Sequence, residues 1–207
     1  MIITPAEASA KDLYKLLIGT VVPRPIAWVS TISDDGVYNL APYSFFNAVS
    51  ADPPVLCFAP SRKPAGDNRK DTLRNIETTG VFVVNMVSEN LAEAMNQSAA
   101  DVPPEVDEFA LAGVTPEPAT LIHAPMVKEA LAKMECKLRQ IIPLGDQPTS
   151  GMLVLGDILC FHFAEGLVDD FKVDPTMLAA VGRMGGPSYC DTRHRFDLAR
   201  PTGNSKL

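Results

Sequence analysis

From residue 129 to residue 139 the chain alternates. Ala132, Met134, Cys136 and Leu138 are apolar or small, and Lys133, Glu135, Lys137 and Arg139 between them are charged. Propensity alone would make this stretch a helix. A period of two reports one buried face and one wet face, so the pattern predicts a strand. A long strand over 151–163 pairs with it as a hairpin through Gly145-Asp146-Gln147-Pro148. Further strands are expected over 25–32, 37–41, 46–50, 55–59 and 81–87, all rich in β-branched and aromatic residues. Ser33-Asp34-Asp35-Gly36 turns the first pair, with Gly36 free to take positive φ. Asp52-Pro53-Pro54 separates the second. Helices are fewer. Thr4-Pro5-Ala6-Glu7 has a capping-box pattern with Pro at the first helical position, predicting a helix over 5–18 with Leu13, Leu16 and Leu17 turned inward. A short helix is expected over 72–79, stopped by Gly80, and another from a Ser88 cap to about Gln97.

Seven or so strands with hairpin turns and a few short helices define a mainly β fold with peripheral α. The expected architecture is a closed antiparallel barrel with helices at its rim. No βαβ alternation supports a dinucleotide-binding sheet. Gly182-Arg183-Met184-Gly185-Gly186 lacks the Gly-x-Gly-x-x-Gly spacing and follows no strand. The length of 207 residues fits one domain over 1–200, with a disordered tail over 201–207. The net charge of −7, from 18 basic and 25 acidic residues, argues against a nucleic-acid partner. The four cysteines are scattered without Cys-x-x-Cys spacing, which reads as reduced thiols in a cytoplasmic protein rather than a metal site. Lys11 and Asp12 break any apolar run near the start, and no stretch approaches a membrane span, so neither a signal peptide nor a membrane partner is expected. Residues 88–109 carry six acidic and no basic residues, with Pro103-Pro104, and read as a solvated excursion, either a lid or plain surface.

Candidate chemistry concentrates in residues 39–60. The loop Asn39-Leu40-Ala41-Pro42-Tyr43-Ser44-Phe45-Phe46-Asn47 offers amides, a hydroxyl, backbone N–H and C=O groups and flat apolar faces together. That mixture suits a planar heterocycle with polar edges. Close behind come Ser61-Arg62-Lys63, then Arg69-Lys70-Asp71-Thr72 at a helix start. Five basic residues, with Arg74, stand there against Asp67 and Asp71, a local charge of +3. A basic helix N-terminus favours a phosphate. Blander readings stand beside these. The basic stretch could be a solvated loop with Asp71 as an ordinary N-cap, Phe45 and Phe46 could be core, and Trp28 fits core or interface better than ring stacking. His162 reads as structural, and His123 and His194 lie in loops without zinc-binding spacing.

These residues resemble the flavin reductase-like family of split-barrel proteins, which includes flavoredoxin and the reductase components of two-component flavin monooxygenases. The resemblance rests on Pro23-Arg24-Pro25-Ile26-Ala27-Trp28-Val29-Ser30-Thr31, on Asn39 to Pro54, on Lys70-Asp71-Thr72-Leu73-Arg74-Asn75-Ile76, on Phe82-Val83-Val84-Asn85 and on Arg183-Met184-Gly185-Gly186-Pro187-Ser188-Tyr189. It implies a six-stranded antiparallel Greek-key split barrel and a homodimer with FMN at each subunit interface. It also implies hydride transfer from NADH or NADPH to the flavin, with a monooxygenase or other electron acceptor beyond. By resemblance, Ser30-Thr31 and Asn39 to Asn47 contact FMN, and Ser61-Arg62-Lys63 with Lys70-Asp71-Thr72 hold its phosphate. Such a hydride transfer is mostly a positioning task and demands no catalytic acid or base. Arg183 could approach the phosphates of a nicotinamide dinucleotide or make a dimer salt bridge, and Tyr189 shares that ambiguity. A flavin-binding electron carrier or redox sensor is the alternative to a reductase, and a split barrel without flavin is a third reading.

Overall fold

The computed structural model describes residues 1–63 and 69–201. Asp67, and the expected tail beyond Pro201, lie outside the described residues. The first nine strands in chain order are β1 (Ala27–Ile32), β2 (Tyr38–Tyr43), β3 (Phe46–Ala51), β4 (Pro54–Phe58), β5 (Val81–Met86), β6 (Pro116–Pro118), β7 (Pro125–Val127), β8 (Ala132–Pro143) and β9 (Met152–Phe163), and four short ones follow as two hairpins, Val168–Asp169 with Lys172–Val173 and Val181–Arg183 with Tyr189–Asp191. Seven of them form one antiparallel sheet in the order β2-β1-β5-β8-β9-β4-β3. Seven strands therefore stand in the main sheet, as the pattern along the chain predicts, against the six that the resemblance implies. β2 and β3, at the two ends of that order, follow each other in the chain through Ser44-Phe45. No ladder joins them among the described residues, so the barrel is split there rather than closed.

The alternation over 129–139 produces the strand it predicts, but its charged face is only partly wet: Glu135 is buried and Lys133 half-buried beneath neighbouring chain, while Lys137 and Arg139 are exposed. Ala132–Pro143 pairs with Phe163–Met152 along nearly its whole length. β1 is buried at every position because the sheet is covered on both sides. Ala27 and Val29 point into one apolar cluster with Phe58, Leu73, Ile76, Phe82 and Val154. Trp28 points the other way, into a cluster with Leu91, Met95, Phe109 and Val127. A wholly buried Phe82 crosses the first cluster against position 156, where a side chain's Cβ would meet its ring at 2.4 Å. Only glycine fits at that crossing.

Helix α1 covers Ala10–Thr20, α2 Asp71–Thr79, α3 Ala92–Gln97 and α4 Glu108–Ala112. α2 ends on Gly80 in the left-handed conformation, as its sequence predicts. α1 departs from expectation in two ways. Pro5–Glu7 forms a separate 3₁₀ turn, with Glu7 accepting from the Thr4 N–H at 3.1 Å. The helix starts only after Ser9, whose hydroxyl accepts from the Asp12 N–H. Leu16 and Leu17 are exposed rather than turned inward, because α1 packs no apolar face against its own chain. Residues 88–109 are also not the solvated excursion expected. They fold as the 3₁₀ turn Glu89–Leu91, α3 and the start of α4, and bury Leu91, Met95, Ser98, Glu108 and Phe109 over Trp28. The acids mostly face out while the apolar residues between them pack down. Among the described residues no helix is long and apolar enough to cross a membrane.

Candidate functional site

Three hollows open beside the β2–β3 corner and meet at Pro42. One, of about 100 Å³, is lined by Asn39, Ala41, Tyr43, Lys70–Thr72, residues 98–102 and Glu108. A second, of about 210 Å³, runs past Tyr14, Ser44, Phe45, Ala59, Ser61 and Lys70. A third, of about 280 Å³, is bounded by Tyr14, Ile26, Ser44, Met95, Asn96, Ala99, Arg183 and Tyr189. The ladder with β1 runs through Pro42, opposite Trp28, to Tyr43, opposite Ala27, and the corner begins at Ser44.

The floor of the first hollow is a buried polar network. The Asn39 side-chain carbonyl accepts from the Thr72 hydroxyl at 2.6 Å and the Thr31 hydroxyl at 3.2 Å. Its amide nitrogen donates to Glu108 at 2.9 Å. Tyr43 donates to Thr72 at 2.9 Å, and Asn75 donates to Thr31 at 3.0 Å. Loss of water around Tyr43 pushes its pKa well above the usual 10.0, so it is a neutral donor. Glu108 also accepts from the Leu40 N–H at 3.2 Å. Burial pushes the Glu108 carboxyl above the usual 4.5, against the lowering pull of those donors.

At the mouth, α2 presents its N-terminus. Leu73 and Arg74 donate to the Lys70 carbonyl, while the first two helical amides, at Asp71 and Thr72, have no protein partner among the described residues. The Asp71 carboxylate is turned aside by Lys63 at 3.3 Å and by Arg74. Lys70 reaches only toward the exposed Asp101, at 3.5 Å. Free amides, an adjacent lysine and a diverted carboxylate are what a phosphate requires. The donor set therefore fits a phosphorylated ring compound.

Other anticipated residues sit elsewhere. Ser30 is fully buried and donates to the Pro125 carbonyl at 2.5 Å, beneath the sheet and away from all three hollows. Thr31 contributes through the floor network rather than by lining a hollow. Arg62 donates to the Gly145 carbonyl at 2.9 Å and ties the chain to the β8–β9 turn. The Thr72 hydroxyl is spent on Asn39 and Tyr43, leaving its backbone N–H as the ligand-facing group. Phe45 is exposed and tilted against Tyr14, Phe46 packs on the core, and Asn47 lies on the exposed edge strand. Trp28 is core, its indole donating to Ser98 at 2.8 Å. Arg183 lies 4.4 Å over the Tyr189 ring, its partner across a short antiparallel hairpin of Val181–Arg183 and Tyr189–Asp191, so the two share one wall.

Two residues carry no local sequence signal. Arg24, between two prolines, is buried and donates to the carbonyls of Ile18 and Val21 at 2.8 Å, to Met184 at 3.1 Å and to Ser44 at 3.2 Å. It staples the end of α1, the β2–β3 corner and the Arg183 segment together. Glu108 hides in an acidic run. Both are polar groups whose partners come from remote parts of the chain.

A split antiparallel barrel with a phosphate-ready helix start beside a polar ring-sized corner is the layout of a flavin-binding oxidoreductase class. Residues 18–182 match the flavin reductase like domain, and the chain belongs to that family. Nitrilotriacetate monooxygenase component B from Bacillus cereus is 40% identical, covers 96% of this chain and 98% of its own, and superposes with a TM-score of 0.91. Pseudomonas fluorescens 2-nitrobenzoate 2-nitroreductase NbaA is 36% identical over 98% of this chain and 97% of its own, with a TM-score of 0.87. A split-barrel protein from Shewanella frigidimarina NCIMB 400, at 22% identity, a TM-score of 0.83, and coverage of 97% of this chain and 100% of its own, agrees in fold.

Proposed function

We propose that this chain is an FMN-binding NAD(P)H:flavin oxidoreductase. The observation that carries this reading is the meeting of the phosphate-ready α2 start with the β2–β3 corner at Pro42. The amides of Asp71 and Thr72 with Lys70 would hold the phosphate. The backbone of Ala41–Phe46 would hold the ring, and its N–H groups would favour negative charge gathering there. Bound FMN supplies a hydride acceptor able to pass electrons onward. The protein's task is to orient it. Glu108 fixes which way the Asn39 amide points, and Asn39 in turn fixes Thr72 and Tyr43 around the first hollow.

A homodimer with the flavin at the subunit interface is part of this reading. Its support is an uncovered apolar surface: Leu17 of α1, Val21 just beyond its end, and Phe45 before β3 are all exposed. Leu17, Val21 and Phe45 line a further hollow of about 370 Å³ at that surface. A cytoplasmic setting and a monooxygenase as acceptor accompany it, the latter by similarity to a monooxygenase component B.

Anaerobic stopped-flow reduction of the FMN-loaded protein tests the reading. NADH or NADPH is expected to bleach the flavin in a saturable phase. A protein that binds FMN but is reduced by neither nucleotide is an electron carrier instead, and one that binds no flavin loses both readings.

A further inference from the structure

The third hollow differs from the other two in charge. Its lining contains one ionic group, Arg183, and no carboxylate. In a chain of net charge −7 that is a selected environment. The Arg183 guanidinium spends one N–H on the Gly186 carbonyl at 2.8 Å and its central carbon lies 4.4 Å from the Tyr189 ring centre. No carboxylate pairs with it among the described residues. Tyr189 is itself fixed, donating to Asn96 at 3.3 Å. Burial holds Arg24 below its usual value, opposed by Tyr14 and reinforced by the positive charge of Arg183. The rest of the lining mixes apolar surface from Tyr14, Ile26, Met95 and Pro42 with the polar side chains of Ser44 and Asn96. It shares Pro42 and Ala99 with the first hollow and Pro42 and Ser44 with the second.

We propose that this hollow is a binding subsite for a small aromatic carboxylate, held by Arg183 at its anionic end and by Tyr14, Met95 and Tyr189 along its ring, against the edge of the flavin site. A half-buried, stacked guanidinium presents a planar fork that matches a carboxylate. A single cation answers a single anion. A dinucleotide brings two phosphates, and this wall offers no second free cation, since Arg24 spends its donors on four protein oxygens. A volume of about 280 Å³ also sits at the small end of ligand pockets, suiting one substituted ring.

This inference rests on the flavin reading for the identity of the neighbouring hollow, and the two fail separately. The probes are benzoate and its neutral isostere benzamide, titrated calorimetrically into FMN-loaded protein and into flavin-free protein. Benzoate is expected to bind at least about tenfold more tightly than benzamide, by one charge-assisted fork. Arg183→Ala should remove that preference while leaving FMN affinity unchanged, and Arg183→Lys should restore part of it. Tyr14→Ala, on a different element, should weaken benzoate and benzamide alike. Equal binding of benzoate and benzamide, or benzoate binding indifferent to Arg183→Ala, overturns the proposal. So does an Arg183→Ala protein that loses NADH affinity but keeps benzoate, because a dinucleotide then owns the wall. Absence of FMN binding with benzoate selectivity intact would sink the flavin reading and leave the subsite standing.

Discussion

Among the described residues two carboxyl groups are buried, and they are treated in opposite ways. Glu135, on β8, accepts from the N–H groups of Thr120, Leu121 and Ile122 at 2.7, 2.8 and 3.1 Å, and pairs with His162 at 2.6 Å. Burial pushes its pKa up, but these donors outweigh burial and hold it below the usual 4.5. Both oxygens are saturated. Cys160 and His162 lie close enough to form a metal-like trio with it, yet Glu135 has no lone pair left to give an ion. Its work is to clamp the loop after β6. Glu108 is offered fewer donors, and burial raises it. It borders a hollow rather than a loop. The contrast separates a carboxylate that organises its own chain from one that leaves capacity facing a ligand. Saturation, not burial, distinguishes them.

The contrast is open to attack, most strongly at the clamp. Glu135→Ala strands three backbone donors and should cost roughly 3 to 5 kcal/mol in urea denaturation. Flavin affinity of the folded protein should not change, and a large loss of flavin affinity would erase the distinction between the two regions. At the other region the effect should fall on ligand. Lys70→Glu is expected to weaken FMN about tenfold or more while sparing riboflavin, which lacks the phosphate, with stability within about 1 kcal/mol of the parent. Equal loss of FMN and riboflavin would remove the phosphate role from α2. The smallest effect concerns pH. Because the folded protein holds the Glu108 proton more tightly than the unfolded chain does, Glu108 should erode stability as pH rises above about 4.5. Glu108→Gln should flatten that slope above about pH 4.5. Glu135, depressed in the fold, acts with the reverse sign, contributing stability at neutral pH that fades as pH falls below about 4.5. Denaturation midpoints across pH for both variants check the two signs together.

Local pattern revealed the strands and the corner. Alternation over β8 outweighed helical propensity because every second residue had to be covered. The 39–47 loop stood out because its residue types are unusual together. The region over Trp28 did not stand out. Leu91, Met95 and Phe109 are spaced among acids, so residues 88–109 resemble solvated chain until the sheet beneath is known. Glu108 is one acid among six there, and its partner Asn39 lies 69 positions away. Arg24 looked like part of an extended Pro-Arg-Pro stretch, although its partners at Ser44 and Met184 make it a staple. The start of α1 was misplaced because Thr4 and Ser9 both carry cap signals, and Ser9 holds the longer helix. Burial of polar groups by distant partners is a property of the assembled chain, and no window of sequence contains it.

Trp28 is the sole tryptophan of the chain. Its indole N–H is tied to Ser98, and Ser98 itself belongs to the wall of the first hollow. The protein thus carries a single indole fluorophore, shielded from water and tethered to the surface a flavin would touch. Its emission is an internal gauge of that wall, readable without a label and without turnover.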